Sequence, residues 1–430
     1  MSQSLCQLNS GSLNYEIFHQ KPYFQSMPRS RKPDSNLIGI LCRHDKIYSC
    51  RSKLQEVNDI PRGDCRGLPS NFKWKGSIQI MSLQGPGSLH STLPRILICG
   101  DILYAQQECT DLFSNIAEIV YFASSSREDF LSSFSSGGAY EKVVGIYRRN
   151  ITSARIGRFD REMIKALSER GVKWVAQIGA GYDQVDVQAC KEFGIMLSHT
   201  PNAVNDSTAT TALFLLISTF RQFSKAERDL RSGLWKTQIS SSNSYDLHTT
   251  NRRTLAILGL GGIGLRFAQL VHDMFDMRII YHNRHRVKNE PEWVEFYEGE
   301  EGLKRMLKEA DVLSVHIPLY KGTEGLVGEK MIRGLKRGAI LINTARGQVV
   351  DEEALLRALE DGHLGAAGLD VFPHEPKINP RLLEFPNVTI LPHMGASTFE
   401  TLKKLEVMAL QNLRDFLVDG RGKDIVEELR

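Results

Sequence analysis

From Pro94 onward, short apolar runs alternate with longer amphipathic stretches. "RILICG" and "EIVYFA" have the composition of strands, and "FDREMIKALSERG" repeats its apolar residues at helical spacing. That alternation predicts a parallel sheet with helices packed on both faces. A second series begins after the serine-rich stretch "SSSNSYDLHTTNRR" at 240–253, with strands expected at "TLAIL", "RIIY", "VLSVHI", "AILIN" and "VTILPH". Each is apolar enough to be buried on both faces, as central parallel strands are. The expected fold class is therefore α/β with two doubly wound domains. Between the two series, "STATTALFLLISTFRQFSKAERDL" (207–230) is expected to form one long helix, which by its pattern alone suits a buried core position.

Residues 1–93 behave differently. They are rich in Ser, Arg, Asn and Gly, with one short apolar run at 37–41 and no sustained period, so a disordered extension is expected, with the functional start nearer Met81. Acidic residues are scarce before Asp34, as in a mitochondrial presequence. Glu16 and the lack of a basic amphipathic helix argue against one, and with neither a secretory peptide nor a disulfide framework in evidence the cytoplasm is the expected compartment.

Composition narrows the function classes. The 54 basic residues nearly balance the 50 acidic ones, a net charge of +4 over 430 residues, so nothing drives the chain toward nucleic acid or an anionic membrane. The longest central apolar run, 212–220, is about half of the ~20 residues a membrane span needs. Small molecules are the expected partners. The seven cysteines show neither a Cys-x-x-Cys pair nor zinc-ligand spacing, so reduced thiols and no metal are expected.

In "TLAILGLGGIGLRFAQLVHDMF", Gly259, Gly261 and Gly264 stand in Gly-x-Gly-x-x-Gly spacing between a strand and an amphipathic helix. The first permits a tight turn, the second lets the backbone approach a pyrophosphate, and the third allows close helix-to-strand packing. With Leu260, Gly262 and Ile263 they form a loop that leads into a helix N-terminus suited to phosphate. An ordinary tight strand-to-helix turn would also favour glycine, but three in register point to a dinucleotide.

Three further segments end strands or begin the loops after them: "INTARGQVVD", "GLDVFPHEP" and "ILPHMGAST". In an open parallel sheet, ligands bind outside the carboxyl ends of strands, so Arg346, Asp370, Glu375 and His393 are expected to converge. Singly, Arg346 reads equally as a strand-end salt bridge, Glu375 as a solvated loop residue and His393 as a turn residue. Together, beside a dinucleotide loop, they suit carbonyl reduction. Hydride addition to a ketone leaves negative charge on oxygen, which needs a proton donor and a cation. His393 can supply the proton and Arg346 the charge, or a fork for a carboxylate. Glu375, in contact with the imidazole, would fix its tautomer and keep it a donor.

The series "GAGYDQVDV" (179–187), "GLGGIG" (259–264), "NTARGQVVD" (343–351), "GLDVFPHEP" (368–376) and "LPHMGAST" (391–398) resembles the D-2-hydroxyacid dehydrogenase family over nearly the whole of residues 94–430. The resemblance implies a flavodoxin-like substrate domain at 94–199 completed by 393–430, and an NAD(P)-binding Rossmann domain at 200–392. It implies that Arg346 binds the 2-oxo acid, that His393 is the general acid/base paired to Glu375, and that the backbone at Ala180 and Gly181 holds the substrate carboxylate. It places Asp370 and Thr344 near the nicotinamide. It also makes 207–230 a dimerisation helix and the protein a homodimer.

Within the family, Glu375 stands where formate dehydrogenases carry glutamine, and the common 3-phosphoglycerate enzymes with an appended C-terminal domain are not the expected branch. "TPNAVNDSTATTALFLL" and "YHNRHR" are most similar to the glyoxylate/hydroxypyruvate reductase group, including its fungal members. A small 2-oxo acid such as glyoxylate or hydroxypyruvate is the expected substrate, and its D-2-hydroxy acid the product. The alternatives are a shorter 3-phosphoglycerate-type enzyme and an NAD(H)-sensing corepressor-like scaffold. Trp235 is expected to be a buried packing aromatic rather than part of the substrate entrance.

"YHNRHR" also bears on the cofactor. An acid about 20 residues past the glycine loop usually bonds the ribose hydroxyls of NAD. Asn283 stands there instead, neutral and able to donate, followed by Arg284 and Arg286, whose guanidinium groups suit phosphate oxygens. A solvated basic loop is the plainer account. The combination nevertheless predicts a preference for NADP(H), with NAD(H) also accepted.

Overall fold

The computed structural model describes residues 93–235 and 248–430. Expectations made for 1–92, and Cys6, Cys42, Cys50 and Cys65 with them, lie outside the described residues. Ile-, Leu- and Val-rich runs form the first sheet: β1 (Arg95–Cys99), β2 (Glu118–Tyr121), β3 (Val143–Arg148), β4 (Trp174–Gln177) and β5 (Met196–Ser198). All are parallel, in the order β2-β1-β3-β4-β5. The second sheet contains β6 (Thr254–Leu258), β7 (Arg278–His282), β8 (Val294–Phe296), β9 (Val312–Val315), β10 (Ala339–Asn343), β11 (Leu364–Leu369) and β12 (Val388–Ile390). It is also parallel, ordered β12-β11-β10-β9-β6-β7-β8, so the strand order reverses between β6 and β9. Crevices for ligands open at such reversals, outside the carboxyl ends of the strands.

Each sheet is covered on both faces because successive side chains point to opposite sides. Ala256 and Leu258 join one buried cluster while Leu255 and Ile257 join the other. In the first sheet Leu97 and Cys99 divide in the same way from Ile96 and Ile98. The C-terminal helix Phe399–Asp419 packs on the first sheet through Leu405, Ala409, Leu410 and Leu413, and Phe416 stacks on Trp174 with ring centroids 5.1 Å apart. Its buried Glu406 accepts the backbone N–H groups of Leu103, Tyr104 and Ala105, tying the loop after β1 to this helix.

The single helix expected at 207–230 is two helices, Asn205–Arg221 and Phe223–Arg231, broken at Gln222, whose φ is +48°. The hydroxyls before the break explain it. Thr219 Oγ1 bonds the carbonyls of Leu215 and Leu216, while Ser218 Oγ meets Ser224 and Thr389, so side chains compete with the helical ladder. Trp235, expected to be buried, is 56% exposed. β11 is hard to read in sequence because "LGAAGL" lacks β-branched residues. The helix Asn205–Arg221 crosses it so closely that a β-carbon on Gly368 would lie 2.9 Å from that of Leu215. Among the described residues, no helix is long and apolar enough to cross a membrane, and no group of His, Cys, Asp or Glu could hold a metal ion.

Candidate active site

The glycine loop follows β6 directly. Gly259 has φ +100°, and a β-carbon there would press within 2.9 Å of the His316 backbone after β9. A β-carbon on Gly264 would lie 2.4 Å from the Gly259 carbonyl, whereas one on Gly261 would meet nothing within 4 Å. The first and third glycines therefore close the turn against the sheet, and the second faces open space. The helix Gly262–Phe275 starts with no side-chain cap, leaving its first N–H groups available to an anion. This loop fits a dinucleotide pyrophosphate.

At the end of β7, Asn283 Oδ1 accepts the Leu260 N–H at 2.7 Å, which anchors the glycine loop and leaves the Asn283 amide N–H groups as donors. Arg284 lies over the Tyr320 ring, 5.8 Å from its centroid. Arg286 is differently placed: its Nε and Nη2 donate to Glu290 Oε1 at 2.8 and 2.5 Å. The two arginines are thus not equivalent, and Arg284 is the one without an acid partner among the described residues.

The loops after β10, β11 and β12 carry the remaining candidates. His393 Nδ1 meets Glu375 Oε2 at 2.8 Å, and Glu375 Oε1 accepts the Phe372 N–H at 2.9 Å. Nε2 of His393 has no hydrogen-bond partner among the described residues. Burial pushes the Glu375 carboxyl up, but its bonds to His393 and the Phe372 N–H outweigh this and hold it below the usual glutamate range. It is therefore ionised at neutral pH.

His393 has a φ of +55°, which a histidine rarely adopts, and Asp370 accounts for it. The Asp370 carbonyl accepts the His393 N–H at 2.8 Å, and its carboxylate takes the N–H groups of Met394 and Gly395 at 2.6 and 2.9 Å. Asp370 is 1% exposed, and burial raises its carboxyl above the ordinary aspartate range. In this structure it builds the turn that presents the imidazole. Thr344 is buried in the loop after β10, and its hydroxyl has no hydrogen-bond partner among the described residues.

Arg346 reaches the first sheet. Its Nε donates to Asp183 Oδ1 at 2.8 Å and its Nη1 to the Ala345 carbonyl at 2.8 Å. Nη2 sits over Gly181, where an added β-carbon would be 1.8 Å away. The Ala180 carbonyl contacts His199 Nδ1 at 2.8 Å, and the Gly179 N–H donates to Thr200 Oγ1 at 2.8 Å. The loop after β4 is thereby fixed against Arg346. Sequence reasoning did not single out Asp183, although it lies inside the quoted "GAGYDQVDV". It also passed over Asn343, whose side chain accepts the Ala345 N–H and donates to the Arg346 carbonyl, shaping the arginine loop. Only the packing reveals these two.

The family model described as D-isomer specific 2-hydroxyacid dehydrogenase, NAD binding domain, matches residues 213–395. The chain is 38% identical over 336 residues to 4-methyl-2-oxopentanoate reductase A of Aspergillus oryzae, covering 78% of this chain and 98% of that protein. The chain belongs to the D-isomer specific 2-hydroxyacid dehydrogenase family. As a member it is an oxidoreductase acting on CH–OH groups, and it carries a nicotinamide-dinucleotide domain. Its two parallel-sheet units match a glyoxylate reductase structure from Paecilomyes thermophila with a TM-score of 0.73 and 38% identity, over 79% of this chain and all of that one. They match an NADPH-dependent glyoxylate/hydroxypyruvate reductase of Sinorhizobium meliloti, in complex with NADP and malonate, at 28% identity and TM-score 0.66, over 79% and 98% of the two chains.

Proposed function

We propose that the protein reduces a small 2-oxo acid, glyoxylate or hydroxypyruvate or a close relative, to the D-2-hydroxy acid with NADPH. One observation carries this: the His393–Glu375 pair, with Nε2 unpartnered among the described residues, and the Arg346 guanidinium over Gly181 both stand at carboxyl ends of the sheet that carries the glycine loop. The residues 259–264 would hold the pyrophosphate and Thr344 would face the nicotinamide end. When bound, the dinucleotide supplies the hydride.

The protein's own groups do the rest. Arg346 Nη2 and the N–H groups at Ala180 and Gly181 bind the substrate carboxylate and orient its ketone. His393 Nε2 donates the proton that the forming alkoxide takes, while Glu375 holds the ring through Nδ1. Arg346 also lies where positive charge offsets the developing oxyanion. In the reverse direction the same Nε2 accepts the hydroxyl proton. The relative named for 4-methyl-2-oxopentanoate makes branched 2-oxo acids the second group to try. Loss of absorbance at 340 nm with NADPH across both groups tests the activity. Folded protein without turnover on any member would sink the proposal.

The cofactor preference rests on Asn283 and Arg284. Arg284→Asp places a carboxylate where a 2′-phosphate would lie, so kcat/KM with NADPH is expected to fall while that with NADH holds or rises. A wild-type preference for NADH that this substitution does not strengthen would remove the assignment. Arg286, held by Glu290, is expected to contribute less. The helices at 205–231 and the residues after them expose Phe214, Phe223, Leu230, Leu234 and Trp235, an apolar surface that supports a homodimer. Light scattering on the eluting protein should read double the chain mass, and a monomer would rule the dimer out.

A further inference from the structure

Asp183 and Arg346 come from different sheets, the first from the loop after β4 and the second from the loop after β10. Their side chains are 12% and 25% exposed, so the pair is screened far less than one at the surface. Asp183 takes only the Nε edge, and Ala345 takes Nη1. Nη2 is left over Gly181 without a hydrogen-bond partner among the described residues. The aspartate therefore restrains the guanidinium without covering the nitrogen that faces the carboxylate-binding loop.

Asp183 is itself held from behind. Its carbonyl accepts a bond from Arg158 Nη2, and the flanking residues pair through Phe159 and Gln184. Arg148, fully buried at the end of β3, bonds Asn150, Gln177 and Ser153 and has no carboxylate within ion-pair distance among the described residues. Burial pulls Arg148 down to about 10, against the favourable fields of Cys99 and Asp183. Asp183 thus lies in the field of the buried Arg148 of the first sheet and bonds directly to Arg346 of the second.

We infer that Asp183 is a positioning residue that clamps Arg346 across the two sheets and aims its Nη2 at the 2-oxo acid carboxylate bound beside the Ala180–Gly181 backbone. This rests on the proposed role of Arg346. An unrestrained arginine must lose its rotamer freedom when substrate binds, and the clamp imposes that order beforehand. It also ties the two sheets together at the point where substrate bridges them, which keeps the ketone in register with His393.

The test is a cycle of Asp183→Ala, Asp183→Asn, Arg346→Ala and the double variant, each measured for kcat, KM, dinucleotide affinity by fluorescence and thermal unfolding. Asp183→Ala is expected to lower kcat/KM by about 10- to 100-fold, chiefly through KM, the scale of a misplaced catalytic group. Asp183→Asn, which keeps an acceptor, should recover most of this, with dinucleotide affinity unchanged throughout. In the Arg346→Ala background the second substitution should add nothing, because the clamp has lost its object. An equal loss in both backgrounds, an unchanged kcat/KM, or a fall in KM would overturn the clamp while leaving Arg346 in place. An Arg346→Ala enzyme with wild-type KM would instead remove the substrate role of Arg346 and the clamp with it. Should the alanine variant not fold, Asp183→Ser, too short to reach Nε, takes its place in the cycle.

Discussion

His393→Gln is expected to lower the rate of the proposed 2-oxo acid reduction by about 100-fold or more, the scale of a lost general acid, and to leave dinucleotide binding nearly unchanged. The geometry supplies the reason. Nδ1 is engaged by Glu375 at 2.8 Å, so the ring can present only Nε2 to a ligand, and that atom has no partner among the described residues. The turn carrying the ring is held by Asp370 through backbone bonds that glutamine preserves. Glutamine can fill the space and hydrogen-bond, but it cannot give up a proton. Single-turnover oxidation of NADPH at 340 nm measures the chemical step, and fluorescence titration measures the cofactor. Retained activity would show that the proton comes from elsewhere.

Arg346→Ala is expected to raise KM for the 2-oxo acid and lower kcat together, by about 100- to 1000-fold in kcat/KM, as for loss of one strong oxyanion or carboxylate donor. The joint effect distinguishes this residue from His393. A group that only binds carboxylate would move KM alone, and one that only stabilises the transition state would move kcat. Arg346→Lys is the informative companion, because it keeps the charge and loses the fork that meets Asp183 and the substrate at once. Lysine should recover part of the kcat loss and little of the KM loss. Removing Arg346 also leaves Asp183 partly buried without its partner, so a lowered melting temperature will accompany the kinetic change. A stability loss with unaltered kinetics would contradict the assignment.

The architecture was legible wherever local pattern and tertiary role coincide. "TLAIL", "AILIN" and the glycine loop read correctly because a strand buried on both faces, and the turn that follows it, each impose their own composition. The pattern misleads where packing overrides propensity. The middle of β11 is Gly and Ala where the helix Asn205–Arg221 crosses it closely, and 207–230 looks like one helix because nothing local announces the hydroxyl competition before Gln222. Trp235 reads as core by size alone and is exposed.

At the site, sequence and structure divide along the same line. The residue types that reduction demands, and their location at strand ends, follow from the order of motifs, since parallel strands bring all their carboxyl ends to one edge. The sequence by itself therefore determined the fold class and the strand–glycine–helix loop, and it named Arg346, Glu375 and His393 as the candidates for the proposed chemistry. Only the tertiary structure decided how they are held. The Nδ1 contact that selects Nε2, the use of Asp370 as a turn builder and the reach of Arg346 to Asp183 all join residues separated in the chain. Such contacts depend on angles and distances between loops, which side-chain chemistry and spacing do not encode.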